Sequence, residues 1–284
     1  MKILVTGAGG LLGRALVAHL ESGCPVIGLD RSALDISSKA AVREALGLHQ
    51  PDILINAAAF TDVDSAETQP GAAREANTIG PGILAEQTCT AGSRLLTVST
   101  DYVFDGNKEG PYDENDIPSP LSVYGHTKLA GEEEVRHLNP KHFIVRTAWL
   151  YDSPGKCFAQ TALEFAGGNR EVRIAGDQRG SPTFVPHLAE AIGRLILSDD
   201  FGTHHIAGSG GASRFEFVHE LYCRMGIETP VTEAQAREFP SAAERPANSE
   251  LATAWQDAPG LPPWREGVAE FARRKLAAGN EASS

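Results

Sequence analysis

Cysteine is scarce in this chain, and the four present (Cys24, Cys89, Cys157, Cys223) lie far apart with no CxxC pair among them. That rules against a disulfide framework and gives little basis for a zinc site, so the thiols read as reduced in a cytoplasmic setting. No run of about 18 apolar residues occurs, which leaves no helical segment able to span a bilayer. Met1-Lys2-Ile3-Leu4-Val5 passes straight into glycines, without the longer apolar stretch and cleavage site of a signal peptide. Positive charge is also short: 25 Lys and Arg stand against 37 Asp and Glu, a formal net charge of −12. This balance works against nucleic-acid or anionic-membrane partners, and an anionic small molecule would need a local cationic or backbone-amide pocket.

What remains is an ordinary globular composition, 42% hydrophobic and 22% charged over 284 residues, enough for one large α/β domain and a small lobe. Short β-branched runs alternate with helical spacing through the first half, the pattern of βαβ units on a parallel sheet. Ile3-Leu4-Val5, Val26-Ile27-Gly28-Leu29, Ile53-Leu54-Ile55, Leu95-Leu96-Thr97-Val98 and Phe143-Ile144-Val145 read as buried strands. After Trp149 the regularity weakens. Phe158 to Phe165 and Leu188 to Leu197 read as helices and Val172-Arg173-Ile174 as a short strand, while residues 228–265 read as loops and short helices around a pocket. The small polar tail, Ala277 to Ser284, is expected to fray. The expected fold is α/β: a Rossmann-type, doubly wound parallel sheet over residues 1–150, completed by about 185–210, with a smaller, loop-rich C-terminal lobe from 151–184 and 211–284.

Thr6-Gly7-Ala8-Gly9-Gly10-Leu11-Leu12-Gly13 follows the first strand and opens a helix. Gly7, Gly10 and Gly13 permit a tight turn, close backbone approach to a pyrophosphate and close helix–strand packing, with the helix N-terminus facing the phosphates. Strand, loop, helix, second strand and Asp30 occur in the order that dinucleotide binding requires. Asp30 suits the ribose hydroxyls of NAD, whereas Arg31 beside it suits the 2′-phosphate of NADP, so both NADH and NADPH remain open.

Tyr124-Gly125-His126-Thr127-Lys128 sets a phenol and an ammonium one helical turn apart. Lysine, joined by an oxidised nicotinamide, is expected to lower the phenol pKa and fit it for acid–base work. That spacing is common on helix surfaces. It gains meaning from Ser99-Thr100-Asp101 at the end of a strand, where ligands gather in open α/β sheets.

These residues together resemble the extended short-chain dehydrogenase/reductase superfamily, and more finely the dTDP-4-dehydrorhamnose reductase family. The finer likeness rests on Asn56-Ala57-Ala58-Ala59-Phe60-Thr61, on residues 99–106 (STDYVFDG), on Pro120 to Glu132 and on Arg146-Thr147-Ala148-Trp149. Asp177-Gln178-Arg179-Gly180-Ser181-Pro182-Thr183, Arg245-Pro246-Ala247-Asn248-Ser249 and Pro263-Trp264-Arg265-Glu266-Gly267 extend it over nearly the whole chain. The resemblance implies NAD(P)H-dependent reduction of dTDP-4-dehydro-β-L-rhamnose to dTDP-L-rhamnose. Thr100, Tyr124 and Lys128 take the catalytic places. Gly7, Gly10, Leu11, Leu12, Gly13, Asp30, Arg31, Asp35, Ile36, Ala58, Ala59, Phe60 and Val98 join Tyr124 and Lys128 at the cofactor. Thr100, Asp101, Trp149 and Arg245 face the sugar nucleotide. A homodimer and magnesium are implied by the resemblance alone, and no metal ligand is assigned.

The chain departs from the family pattern at Asp152, where Gly is common, and at Gly208, where Asn is usual. Two other readings stand beside the reductase: a reductase or epimerase of another sugar nucleotide, and a non-catalytic regulatory subunit resembling the methionine adenosyltransferase β subunit. A dehydratase fits poorly, because Tyr102 stands where such enzymes carry Glu after the Asp. His204-His205 is not read as a metal pair, since neighbours on a strand point to opposite faces. Glu132-Glu133-Glu134 reads as a solvated helix face. Trp255 and Trp264 are either core anchors or stacking rings, and Arg245 is either a fork for the pyrophosphate or a surface ion-pair residue.

Overall fold

In the computed structural model, which describes residues 1–168, 171–255 and 260–282, the apolar runs of the first half become strands joined by helices. In chain order these are β1 (Ile3–Thr6), α1 (Leu11–Leu20), β2 (Val26–Leu29), α2 (Lys39–His49), β3 (Ile53–Asn56), α3 (Val63–Thr68) and α4 (Pro70–Arg74). A π-helical turn, Glu75–Ile79, leads into α5 (Gly80–Ala91), followed by β4 (Arg94–Thr100), α6 (Val123–Leu138) and β5 (His142–Thr147). The second half holds β6 (Leu150–Tyr151), α7 (Phe158–Gly168), β7 (Val172–Ala175), β8 (Arg179–Gly180), β9 (Thr183–Phe184) and α8 (Val185–Leu195). It ends with β10 (Gly202–His205), β11 (Ala212–Ser213), α9 (Arg214–Met225), β12 (Val231–Ala234) and α10 (Trp264–Ala282).

The main sheet has the order β10-β5-β4-β3-β1-β2, every neighbouring pair parallel. Successive side chains on a strand face opposite ways, and the sheet is covered on both sides. Ile3, Val5, Ile55 and Val145 pack with Leu16 of α1 and Leu188 of α8, while Leu4, Leu54 and Ile144 pack with Leu46 of α2, Leu84 of α5 and Val135 of α6. The expected Rossmann-type sheet is present, with β10 as its sixth strand.

A second apolar cluster lies around Tyr151, Phe184, Phe217, Trp264 and Phe271, where Trp264 is only 3% exposed and so is a core anchor. Trp255 instead tilts over His204, ring centroids 4.4 Å apart, and its Nε1 donates to the Thr203 carbonyl. Residues 228–265 are not loops and short helices alone: β12 pairs in parallel with β7, from Val231 beside Val172 to Ala234 beside Ala175. Alternation over four residues is too short to declare a strand without its partner. α10 continues to Ala282 through most of the tail expected to fray, and residues 283 and 284 lie outside the described residues.

From β1 the chain passes to β2 on one side and then to β3 on the other, so the winding reverses at β1. A crevice opens above the carboxyl ends of the strands at such a reversal. No helix among the described residues is long and apolar enough to cross a membrane.

Candidate active site

The glycine loop is a cradle closed to side chains. Gly7 adopts φ +69°, and a Cβ on it would stand 2.6 Å from Ala58 N; one on Gly13 would stand 2.1 Å from the Gly7 carbonyl oxygen. Gly10 caps α1 with extended backbone and no side-chain cap, leaving the helix N-terminus to an outside acceptor. Leu12 anchors the helix in the core. Arg14 straps the loop from outside: its guanidinium donates to the Gly9 carbonyl and, at 2.7 Å, to that of Pro154.

At the end of β2, Asp30 Oδ1 accepts from Ser32 N (2.9 Å), Ser32 Oγ (2.6 Å) and Ala33 N (3.1 Å), which holds its carboxyl below the usual range and shapes the loop carrying exposed Arg31. Asp35 is held in the same way by Ser37 Oγ and N, and Ile36 is buried against α5. The end of β3 is fixed by two asparagines absent from the sequence-based site. Asn56 Oδ1 accepts from Thr6 Oγ1 (2.7 Å) and Ala58 N (3.2 Å). Asn77, in the π-helical turn, accepts from Phe60 N (2.8 Å) and donates to the Phe60 carbonyl (3.0 Å) and to Thr127 Oγ1 of α6 (3.3 Å). Asn77 thereby ties Ala58-Ala59-Phe60 to the Tyr124 helix. An asparagine in a helical run gives no signal of this in the sequence.

Helix α6 is started by Ser122 Oγ, which accepts from Gly125 N, and by Glu67, whose Oε1 accepts from Val123 N at 2.8 Å. A Cβ on Gly125 would lie 2.2 Å from the Tyr102 carbonyl oxygen, so only glycine lets α6 close on the turn after β4. Tyr124 is thus brought against Thr100 and Asp101, and Lys128 against the β4 backbone at Val98. Thr100 Oγ1 donates to Asp101 Oδ1 (3.0 Å), and the Tyr102 and Tyr124 rings meet edge-on, centroids 6.0 Å apart. Asp101 is buried, and its Oδ2 has no hydrogen-bond partner among the described residues. Burial pushes its carboxyl up to about 6, opposed by the Ser249 and Thr100 hydroxyls. Buried polar atoms are nearly always paired, so Oδ2 marks a place for a donor.

Burial holds the Tyr124 proton more tightly than in a free phenol, and the Thr100 hydroxyl offsets only part of this. In the ligand-free chain Lys128 is not among the groups that shift this phenol, and its Nζ donates to the Val98 carbonyl at 2.6 Å. Burial also pulls the ammonium down to about 8, against the charge of Glu132.

Glu132 corrects an expectation, since it is 1% exposed and not part of a solvated face. Its Oε1 accepts from Ser99 Oγ (2.5 Å) and Arg146 Nε (3.0 Å), and its Oε2 from Nη2 of Arg146 (2.7 Å) and of Arg136 (2.6 Å). The signal available was spacing: position 132 lies one turn beyond Lys128 on the same face, whereas Glu133 and Glu134 point outward.

Just after β5, Trp149 turns at φ +44° beneath the guanidinium of Arg214, which lies 4.4 Å from its ring centroid. Arg214 was not singled out from the sequence. Arg245 is drawn onto Asp64, Nη1 to Oδ1 at 3.1 Å and Nη2 to Oδ2 at 2.7 Å. Half-buried Asp152 has its carboxyl pushed up by burial, with Arg274 and Arg14 opposing. A Cβ on Gly208 would stand 2.0 Å from the Pro182 carbonyl oxygen, so the chain here runs too close for any side chain. His204 and His205 hold backbone carbonyls of Asp200, and of Tyr112 and Ala252, respectively. Among the described residues no group of three or more His, Cys, Asp or Glu is placed to hold a metal.

A glycine cradle at the winding reversal, with a strand-end threonine and a Tyr–Lys pair beside it, defines a nucleotide-dependent enzyme of the extended short-chain dehydrogenase/reductase type. The family model described as RmlD substrate binding domain matches residues 1–276, and the chain belongs to the dTDP-4-dehydrorhamnose reductase family. It is 37% identical to the spore coat polysaccharide biosynthesis protein SpsK of Bacillus subtilis, over 98% of this chain and 99% of that protein. Among solved structures, a dTDP-4-dehydrorhamnose reductase from Clostridium acetobutylicum superposes with a TM-score of 0.94 at 38% identity, over 97% of this chain and 100% of that one. The dTDP-4-dehydrorhamnose reductase of Bacillus anthracis, solved in complex with NADP, gives 0.92 at 34% identity, over 96% and 99%.

Proposed function

We propose that this chain is an NAD(P)H-dependent reductase of a dTDP-4-keto sugar, with dTDP-4-dehydro-β-L-rhamnose as substrate and dTDP-L-rhamnose as product. The carrying observation is the meeting of Thr100, Tyr124, Lys128 and the unpartnered Asp101 Oδ2 at the sheet edge beside the open glycine cradle. The relatives named for this reaction and the NADP complex of the Bacillus anthracis protein support the same reading.

The residues fit a dinucleotide. Gly7 to Gly13 and the uncapped start of α1 suit its pyrophosphate, and Asp30, Arg31, Asp35 and Ile36 its adenosine end. Ala58, Ala59, Phe60, Val98, Tyr124 and Lys128 suit the nicotinamide riboside. A reduced nicotinamide bound there supplies the hydride. Thr100 Oγ1 turns its one hydrogen from Asp101 Oδ1 to the sugar carbonyl oxygen, and Tyr124 gives that oxygen a proton as the alcohol forms. Burial leaves Tyr124 protonated before the hydride arrives, and the alkoxide then forming is a stronger base than a phenolate, so the proton passes to the sugar. Asp101 Oδ2 accepts from a sugar hydroxyl, which satisfies the buried atom, and Trp149 packs on the sugar. Lys128, anchored on Val98, holds the ribose.

Tyr124→Phe removes only the donor hydroxyl. With enzymatically generated dTDP-4-dehydrorhamnose it is expected to bind NADPH normally and to lose about 10²–10⁴-fold in turnover. A variant within a few-fold of the parent removes Tyr124 from the mechanism. A parent chain that binds NADPH but never oxidises it with this sugar favours the non-catalytic reading instead.

A further inference from the structure

Two guanidinium groups border the Asp101–Tyr102 turn, and both bear electrostatically on Tyr102. They differ in what neutralises them. Arg245 closes its fork on both oxygens of Asp64, and its Nη1 also meets the Ala243 carbonyl at 3.2 Å. Arg214, the first residue of α9, lies on two ring faces: its guanidinium carbon is 4.4 Å from the Trp149 centroid and 4.9 Å from that of Phe158. Its Nε reaches the neutral Gln178 Oε1 at 3.4 Å. The carboxylate of its own helical turn, Glu216, is turned away to Ser213 N (2.7 Å) and Arg179 Nη1 (3.3 Å). Arg214 also hydrogen-bonds the Tyr102 phenol and acts through its charge on the buried Asp101, but no salt bridge among the described residues involves it.

A guanidinium whose faces are covered by rings still presents its edge N–H groups, and that edge matches phosphate oxygens bidentately. The rings also hold the group half-buried and oriented. In a chain of net charge −12, an anionic ligand is repelled except where such a cation stands outside any salt bridge. Trp149 links the two places: a sugar lying on its indole, with the reacting carbonyl at Thr100 and Tyr124, brings its phosphates to the guanidinium that covers the same indole.

We propose that Arg214, and not Arg245, receives the diphosphate of the nucleotide sugar, with Trp149 and Phe158 orienting its fork. The inference rests on the sugar-nucleotide reading above and adds to it the residue that holds the anion. Arg245 and Asp64 then fasten the segment after Ala243 to α3, a structural task.

The test is calorimetric titration of dTDP into the NADPH-loaded protein. Arg214→Met keeps apolar contact with both rings while removing the charge, and Arg214→Lys restores the charge without the fork. Arg214→Met is expected to weaken dTDP binding about 10–100-fold, the cost of one charge-assisted contact, with Lys recovering only part. NADPH affinity stays within two-fold in both, which verifies the fold. Should the Met variant fail to bind NADPH, the Lys variant carries the comparison, and a 3-fold or greater loss of dTDP affinity supports the proposal. Arg245→Gln is expected to keep dTDP affinity and to lower the unfolding midpoint. Normal dTDP binding by both Arg214 variants overturns the assignment, as does a loss confined to Arg245→Gln. A parent protein that binds NADPH but no dTDP overturns the sugar-nucleotide reading itself, and this inference with it.

Discussion

Glu132→Gln should be the most destabilising conservative change in the molecule's centre. Glutamine keeps the shape but has one acceptor oxygen, where Glu132 accepts four hydrogen bonds from Ser99, Arg146 and Arg136. Arg146 is 2% exposed, and its other contacts are His205 Nε2 at 3.3 Å and the Phe104 ring, centroid 5.2 Å away, neither of them an anion, so its charge would be left buried without a counter-ion. Removing one partner of a buried pair costs about 3–5 kcal/mol. Arg136 is 36% exposed on its side chain, so its share adds at most about 1 kcal/mol. At about 2–4 °C per kcal/mol for a large domain, the midpoint should fall by roughly 10 °C. Urea unfolding of the ligand-free protein measures this, provided the slope with denaturant is unchanged. Arg136→Gln should cost under about 1 kcal/mol, and adding Arg146→Met to Glu132→Gln should recover part of the loss. A loss below about 1 kcal/mol for Glu132→Gln would refute the claim that this pair holds α6 to β5. The change also removes the negative charge opposing the fall in Lys128, so Lys128 should release its proton at lower pH.

Arg31→Ala should weaken NADPH binding more than NADH binding, because Arg31 stands exposed beside an Asp30 that is engaged with Ser32 and Ala33; equal losses in titrations of the two would show that Arg31 does not read the phosphate. Asp101→Asn should stabilise the ligand-free protein at pH 7.5 by about 1–3 kcal/mol, with the gain gone at pH 4. The sign follows from a folded pKa of about 6, above the unfolded value. Folding then holds the proton more tightly, and the parent loses stability as pH rises from about 4 to 6. Unfolding midpoints shifted equally at both pH values would show that the effect is not ionisation.

Local spacing carried the parts of this protein that local physics decides. Apolar runs of three or four residues bounded by turns specify the strands of the first half, because both faces of a parallel sheet are buried. Gly7 to Gly13 specify the cradle, since Gly7 turns at positive φ and its carbonyl excludes a Cβ at Gly13. Tyr124 and Lys128 share a helix face by their four-residue spacing alone. Tertiary structure decided what depends on distant partners. Arg245 and Asp64 are 181 residues apart, and nothing local distinguishes a fork closed on a carboxylate from one open to a ligand. Glu132 becomes a buried counter-ion because β5 places Arg146 opposite it, and Asn77 becomes a clamp because the Phe60 backbone passes within reach. The protonation of Tyr124 and Asp101 belongs to the same class. A titrating group responds to the water removed around it, and only the packed chain determines which water that is.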